Sequence, residues 1–154
     1  MMDKKIIMAI AIGISLMVIV AIALEYKTNP SRPSGSAVNI VNFVVLKEGM
    51  LYTARFSLYD KNMHETTAGG YVSIVISDIE DTILYDSEFY IKARDFGIYK
   101  YVLTGETFWA YAWNFPIKDV LVSENMWSIG TAEMAFILTD GTKLTSTYEL
   151  VSLP

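Results

Sequence analysis

From Ile6 to Leu24 the chain reads IIMAIAIGISLMVIVAIAL, 19 residues without a charge. At about 1.5 Å rise per residue a helix of that length spans about 28 Å, close to the roughly 30 Å hydrocarbon core of a bilayer. A helix apolar on every face has no side to turn towards water, so at a chain terminus it is expected in lipid rather than in a protein core. Residues 6–24 are therefore expected to contact membrane lipid as a transmembrane signal anchor. Lys4 and Lys5 abut the run, whereas Lys27 and Arg32 beyond it are spread out and accompanied by Glu25. The positive-inside bias then puts residues 1–5 in the cytoplasm and everything after the run outside it, as a single-pass cell-membrane protein. Ala21-Ile22-Ala23 has the spacing a signal peptidase reads. The run nevertheless exceeds the 7 to 15 apolar residues of a cleavable signal, which favours a retained anchor over a cleaved and secreted form.

Residues 25–36 contain the polar stretch TNPSRPSGS (28–36), expected to be a linker, and residues 37–154 remain to form one domain. From residue 33 onward there are eight Lys and Arg against 15 Asp and Glu, a net charge of −7. No basic cluster exists to neutralise phosphates, so nucleic acid is not an expected partner. Cysteine is absent, which removes disulfides, thiolate metal sites and cysteine nucleophiles, and leaves burial alone to hold the domain together.

Past the linker, apolar and polar residues alternate with period two, interrupted by turn residues about every ten positions, the pattern of strands in a sandwich or barrel. The expected strands are 38–46, 50–59, 71–77, 83–93, 98–103, 108–115, 131–139 and 142–151. Tyr52, Ala54, Phe56 and Leu58 share one face of the second, and Val72, Ile74 and Ile76 one face of the third. In the fourth, Ile83, Tyr85, Phe89 and Ile91 are expected inward. Pro116 should end the sixth by removing a ladder donor. Asp140-Gly141 is the strongest turn signal and predicts a two-residue type I′ hairpin. Short antiparallel connections between seven or eight strands predict an all-β, Ig-like or fibronectin-III-like antiparallel sandwich behind one N-terminal transmembrane helix.

The run Tyr71 to Tyr101, with its acidic turn, Leu84-Tyr85 and Asp95-Phe96, together with Trp113 to Pro116 and Asp140-Gly141-Thr142, resembles the Ig-like domains of archaeal-type cell-surface proteins. The resemblance implies a fold and an anchored, extracellular location, with no catalytic motif. Archaellum stator subunits share the plan of one helix followed by a sandwich.

Sites that would carry chemistry are few. His64 is the single histidine and falls in the polar loop 60–70, so a multi-histidine metal centre is excluded and no Ser-His-Asp signature surrounds it. Asp78, Glu80 and Asp81, with Asp86 and Glu88 nearby, supply hard oxygen atoms of the kind calcium takes. Their spacing fits no EF-hand loop, and turn residues are the plainer reading. No carboxylate pair is placed by the sequence in a cleft, as glycoside hydrolysis would require. No catalytic residue, metal or cofactor is expected. The strand 108–115 puts Trp109, Tyr111, Trp113 and Phe115 on one face and Phe108, Ala110, Ala112 and Asn114 on the other. Large rings opposite small alanines predict that the aromatic face fills the core; if exposed, Trp109 and Trp113 would offer a platform for sugar rings or a partner. Met126 and Trp127, in the irregular stretch 118–130, are expected as exposed contact residues. The expected function is a non-enzymatic, membrane-anchored extracytoplasmic module that binds or assembles with envelope or membrane proteins. The alternatives are a carbohydrate-binding domain acting through aromatic stacking on a glycan, and a small accessory subunit of a membrane protein complex.

Overall fold

The computed structural model describes residues 31–124 and 128–154. The expected anchor, residues 6–24, and the expected contact residues Met126 and Trp127 lie outside the described residues. Among the described residues no helix is long and apolar enough to cross a membrane. The compact unit begins at Pro33, inside the stretch read as linker, because two threonines seize the chain there. Thr67 Oγ1 donates to the Pro33 carbonyl at 3.1 Å and Thr66 Oγ1 to that of Gly35 at 3.0 Å. Ala37 is already buried.

The unit is all-β, with two antiparallel sheets stacked as a sandwich. Its strands are β1 (Asn39–Glu48), β2 (Leu51–Tyr59), β3 (Glu65–Thr66), β4 (Gly70–Asp78), β5 (Ile83–Ile91), β6 (Gly97–Lys100), β7 (Thr107–Pro116), β8 (Ile129–Leu138) and β9 (Lys143–Ser152). One sheet runs β1-β2-β7-β6 with the short β3 added against β2, and the other runs β5-β4-β8-β9. Alternation places Tyr52, Ala54, Phe56 and Leu58 of β2 and Val72, Ile74 and Ile76 of β4 in the core between the sheets, as expected from the sequence. Phe56 bridges the layers, 5.8 Å from Phe136 of β8. One side of the sandwich is closed where β9 meets β1: Tyr52 Oη donates to the Ser152 carbonyl at 2.7 Å, and Lys47 Nζ to that of Leu153 at 3.0 Å. Gly70 and Gly130 permit the close strand packing of the second sheet. A Cβ on Gly70 would collide with the Ile137 carbonyl oxygen, and one on Gly130 with that of Ser77.

Three local expectations are corrected. Ile83 points outward at 57% exposure, and Leu84 is buried in its place. The pairing slips here, from Ile76 opposite Tyr85 to Ser77 opposite Ile83, so Leu84 is an extra residue and the alternation breaks. The strand expected to reach Leu103 ends at Lys100, because Gly105 N–H bonds back to the Tyr101 carbonyl and Tyr101 N–H to that of Glu106, both at 2.9 Å. Leu103 and Val102 thus occupy a turn instead of a strand face. Finally, Asp140-Gly141 does not form a type I′ turn, which needs positive φ at both residues. Only Gly141 has it, at +85°, and the bonds Gly141 N–H to Leu138 O and Leu138 N–H to Thr142 O define a three-residue loop, a type I turn closed by a left-handed residue. The same loop recurs at 60–64 and 78–82, with Met63 (φ +61°) and Asp81 (φ +62°) in the left-handed position.

Candidate functional site

The aromatic face of β7 turns inward. Phe115 is buried, and Trp109, Tyr111 and Trp113 are half-buried against the core. β7 of one sheet faces β5 of the other on the side away from β1 and β9, and rings from both strands fill that gap. Tyr85 stacks on Phe115 at 4.5 Å, Phe89 lies 4.4 Å from Trp113, and Trp113 stacks on Phe115 at 4.8 Å. Phe96, delivered by the connection that crosses from β5 to β6, sets its ring edge-on to Phe56 at 5.7 Å and 6.0 Å from Tyr111. Burial pushes the phenol pKa values of Tyr85 and Tyr111 upward, so both hydroxyls stay neutral at physiological pH. The ladder is therefore an apolar seal whose rims reach solvent.

The opposite face of β7 carries a second, smaller cluster. Phe108 is buried beneath Tyr101, whose ring stacks on it at 4.3 Å, with the Arg55 guanidinium 5.5 Å from its centroid. Asn42, at the β1 bulge with φ +56°, donates from Nδ2 to Tyr101 Oη at 2.9 Å. Arg55 Nε and Ser57 Oγ are buried on the same outer face without a hydrogen-bond partner. Alternation puts Phe108 with Ala110, Ala112 and Asn114 on the outer face of β7, but does not show that Tyr99 and Tyr101 of the neighbouring chain segment roof over Phe108.

The acidic cluster resolves into turn chemistry. Asp78 Oδ1 accepts the N–H groups of Glu80 and Thr82, each at 3.0 Å, and Oδ2 accepts the Ser123 hydroxyl at 2.7 Å. The Ser123 bond, followed by the two backbone bonds, holds the Asp78 carboxyl below the usual carboxylate range despite burial. Asp60 performs the same service for the N–H groups of Asn62 and His64, and its Oδ2 lies 3.8 Å from His64 Nδ1 on an exposed loop. Among the described residues no three His, Asp or Glu side chains gather in a geometry that could hold a metal ion.

What the strands expose is more telling at the two ends of the sandwich. At the end formed by the β4–β5 turn and the β7–β8 connection, Ile79, Ile83, Leu121 and Val122 are 55%, 57%, 65% and 72% exposed. They are held together by the Ser123–Asp78 bond and by Leu121 N–H donating to the Leu84 carbonyl at 2.8 Å. This connection continues into the residues that include Met126 and Trp127. At the other end, where Pro33 enters, the β6–β7 tip carries Val102 and Leu103, 98% and 99% exposed. Alternation assigns no face to Ile79, between the expected strands 71–77 and 83–93, or to Leu121 and Val122 in the irregular stretch 118–130, and it counts Ile83, Val102 and Leu103 into strands, so neither apolar end is legible from it. Elsewhere the surface has shallow depressions, one of about 390 Å³ on the outer face of the second sheet lined by Ser73, Glu133, Lys143 and Thr145 among others, without a nucleophile-base pair.

No family model and no curated protein matches this chain. Among solved structures it is similar to a hypothetical protein of Pyrococcus horikoshii, at 11% identity and a TM-score of 0.41, over 78% of this chain and 96% of that one. It is also similar to a β-glucosidase of Thermotoga neapolitana, at 12% identity and a TM-score of 0.33, over 80% of this chain but 18% of the enzyme. Neither likeness bears on function.

Proposed function

We propose that this chain is a non-enzymatic, single-pass, membrane-anchored module whose Ig-like sandwich stands outside the cytoplasm and binds or assembles with other envelope or membrane proteins. The observation that carries the binding role is the apolar end formed by Ile79, Ile83, Leu121 and Val122. Four neighbouring aliphatic side chains more than half exposed are costly in water unless a partner covers them. The Ig-like assignment draws on strand order. With β3 set aside, β1-β2-β7-β6 over β5-β4-β8-β9 follows the A-B-E-D and C′-C-F-G arrangement of that fold. Its tryptophans depart from the antibody pattern, since Trp109 and Trp113 sit on β7 and the central β4 has none. Anchoring draws on the 19-residue apolar run alone.

The test is isolation of the full chain from its native membrane in mild detergent, followed by mass spectrometry of what accompanies it. A partner protein should co-purify, and Leu121→Asp with Val122→Asp should release it while leaving the chain in the membrane fraction. Purification of the unaltered chain as a lone monomer would overturn the reading. A glycan role has one observation in its favour, the solvent-reaching rims of Trp109 and Trp113. It predicts quenching of tryptophan fluorescence by a glycan, and unchanged emission across a glycan panel would dismiss it.

A further inference from the structure

The β6–β7 tip has no structural reason to be apolar. Residues 100–106 read Lys-Tyr-Val-Leu-Thr-Gly-Glu, and the turn is fixed by the two backbone bonds between Tyr101 and residues 105 and 106 and by Gly105 at φ +73°. Tyr101 turns back onto Phe108 and is held by Asn42, whereas Val102 and Leu103 bury nothing and project fully into solvent. A bare aliphatic pair presented by a braced turn, with a tyrosine and a lysine immediately behind it, is the arrangement of side chains that partition at a membrane interface.

Where the tip sits decides what it meets. β6 pairs with β7 from Gly97 opposite Ala110 to Lys100 opposite Thr107, and β7 pairs with β2 so that its first residues lie at the Tyr59 end of β2. That is the end where β1 begins and where Thr66 and Thr67 hold Gly35 and Pro33. The tip and the entering chain therefore share one end of the sandwich. Eight residues, 25–32, separate Leu24 from Pro33, and fully extended they reach at most about 30 Å. Resting on the anchored reading above, we infer that the Val102-Leu103 tip inserts into the interfacial region of the same bilayer that holds residues 6–24, fixing the sandwich with its linker end down and its Ile79/Leu121 end outward. Tethering supplies a high local concentration of lipid, so two side chains suffice where a free domain would need more. Lys100 and Glu106 flank the tip with opposite charges, which makes the contact apolar and insensitive to salt.

The absence of cysteine allows a clean test on the full chain reconstituted in phosphatidylcholine vesicles. Thr104→Cys carrying an environment-sensitive nitrobenzoxadiazole label should emit to the blue of the same label at Met50→Cys, which lies exposed at the opposite end. It should also be quenched by nitroxide on the lipid headgroup, equally at low and high salt. Adding Val102→Asp and Leu103→Asp should return its emission to that of the Met50 position. Water-like emission from position 104 in these vesicles would overturn the inference, and so would a dry signal appearing only in native membranes, which would mean a protein partner. Carbonate extraction separates the two readings. A chain that resists carbonate but has a wet tip is anchored without tip insertion; a chain released by carbonate overturns both.

Discussion

Phe56 and Phe108 are both phenylalanines, 1% and 3% exposed, yet their removal should cost different amounts. Phe56 lies between the sheets, with Phe96, Tyr111 and Phe136 at 5.7, 5.9 and 5.8 Å. These neighbours belong to both layers and to the crossing connection, so they cannot move into the space left by Phe56→Ala. The loss then combines transfer and cavity terms, about 3–5 kcal/mol. Phe108 is covered from one side only, by Tyr99 and Tyr101 of the β6–β7 hairpin and by Arg55 of β2. Those side chains can settle onto the sheet, which leaves mainly the transfer term, about 1.5–3 kcal/mol. A unit of this size has about 6–18 kcal/mol to lose, so both variants should fold. Urea unfolding of residues 33–154, followed by tryptophan emission, should show a larger drop in midpoint for Phe56→Ala with little change in slope. Equal costs, or a greater cost for Phe108→Ala, would refute the separation of an inter-sheet core from an outer cluster.

Met63 is 60% exposed and left-handed, so Met63→Gly relieves about 1–2 kcal/mol of backbone strain against the added chain entropy of glycine; a net gain of about 0.5–1 kcal/mol should appear as a raised urea midpoint. Gly70→Ala forces a Cβ against the Ile137 carbonyl and the Phe136 ring and should lose about 3 kcal/mol or more, whereas Gly97→Ala, with only Tyr99 Cε2 at 3.6 Å, should stay within about 1 kcal/mol in thermal unfolding. Asp60, Asp78 and Asp140 all have carboxyl pKa values lowered by hydrogen bonds made in the folded turns, chiefly from His64, Ser123 and Thr142 respectively. Their contribution is complete above the ordinary aspartate range near pH 4 and disappears as pH falls through the lowered values. Acid titration by circular dichroism should show stability falling below about pH 4, and Asp78→Asn should make that fall shallower than in the unaltered chain.

Period-two alternation needed only local information to identify the sandwich, because burial of one strand face is written directly into every second residue; Tyr52 to Leu58 and Val72 to Ile76 are legible for that reason. The 19-residue apolar run is similarly self-contained, since its expected place in lipid follows from length and the lack of any polar face. Composition likewise disposed of disulfides and thiolate sites before any fold was known. What alternation cannot encode is the point where it breaks. The Leu84 bulge depends on the register of β5 on β4, and the end of β6 at Lys100 and the left-handed Gly141 depend on short-range backbone bonds of turns whose type the alternation does not specify. The aromatic strand could face either way until β5 brought Tyr85 and Phe89 across to it, because a row of rings on one face fits a core and a platform equally well. The two apolar ends are decided in the same way. Val102 and Leu103 pass for strand residues in sequence, and Ile79 and Leu121 for apolar residues of a turn and an irregular stretch; only their delivery to the rims of the sandwich decides that all four stand in water.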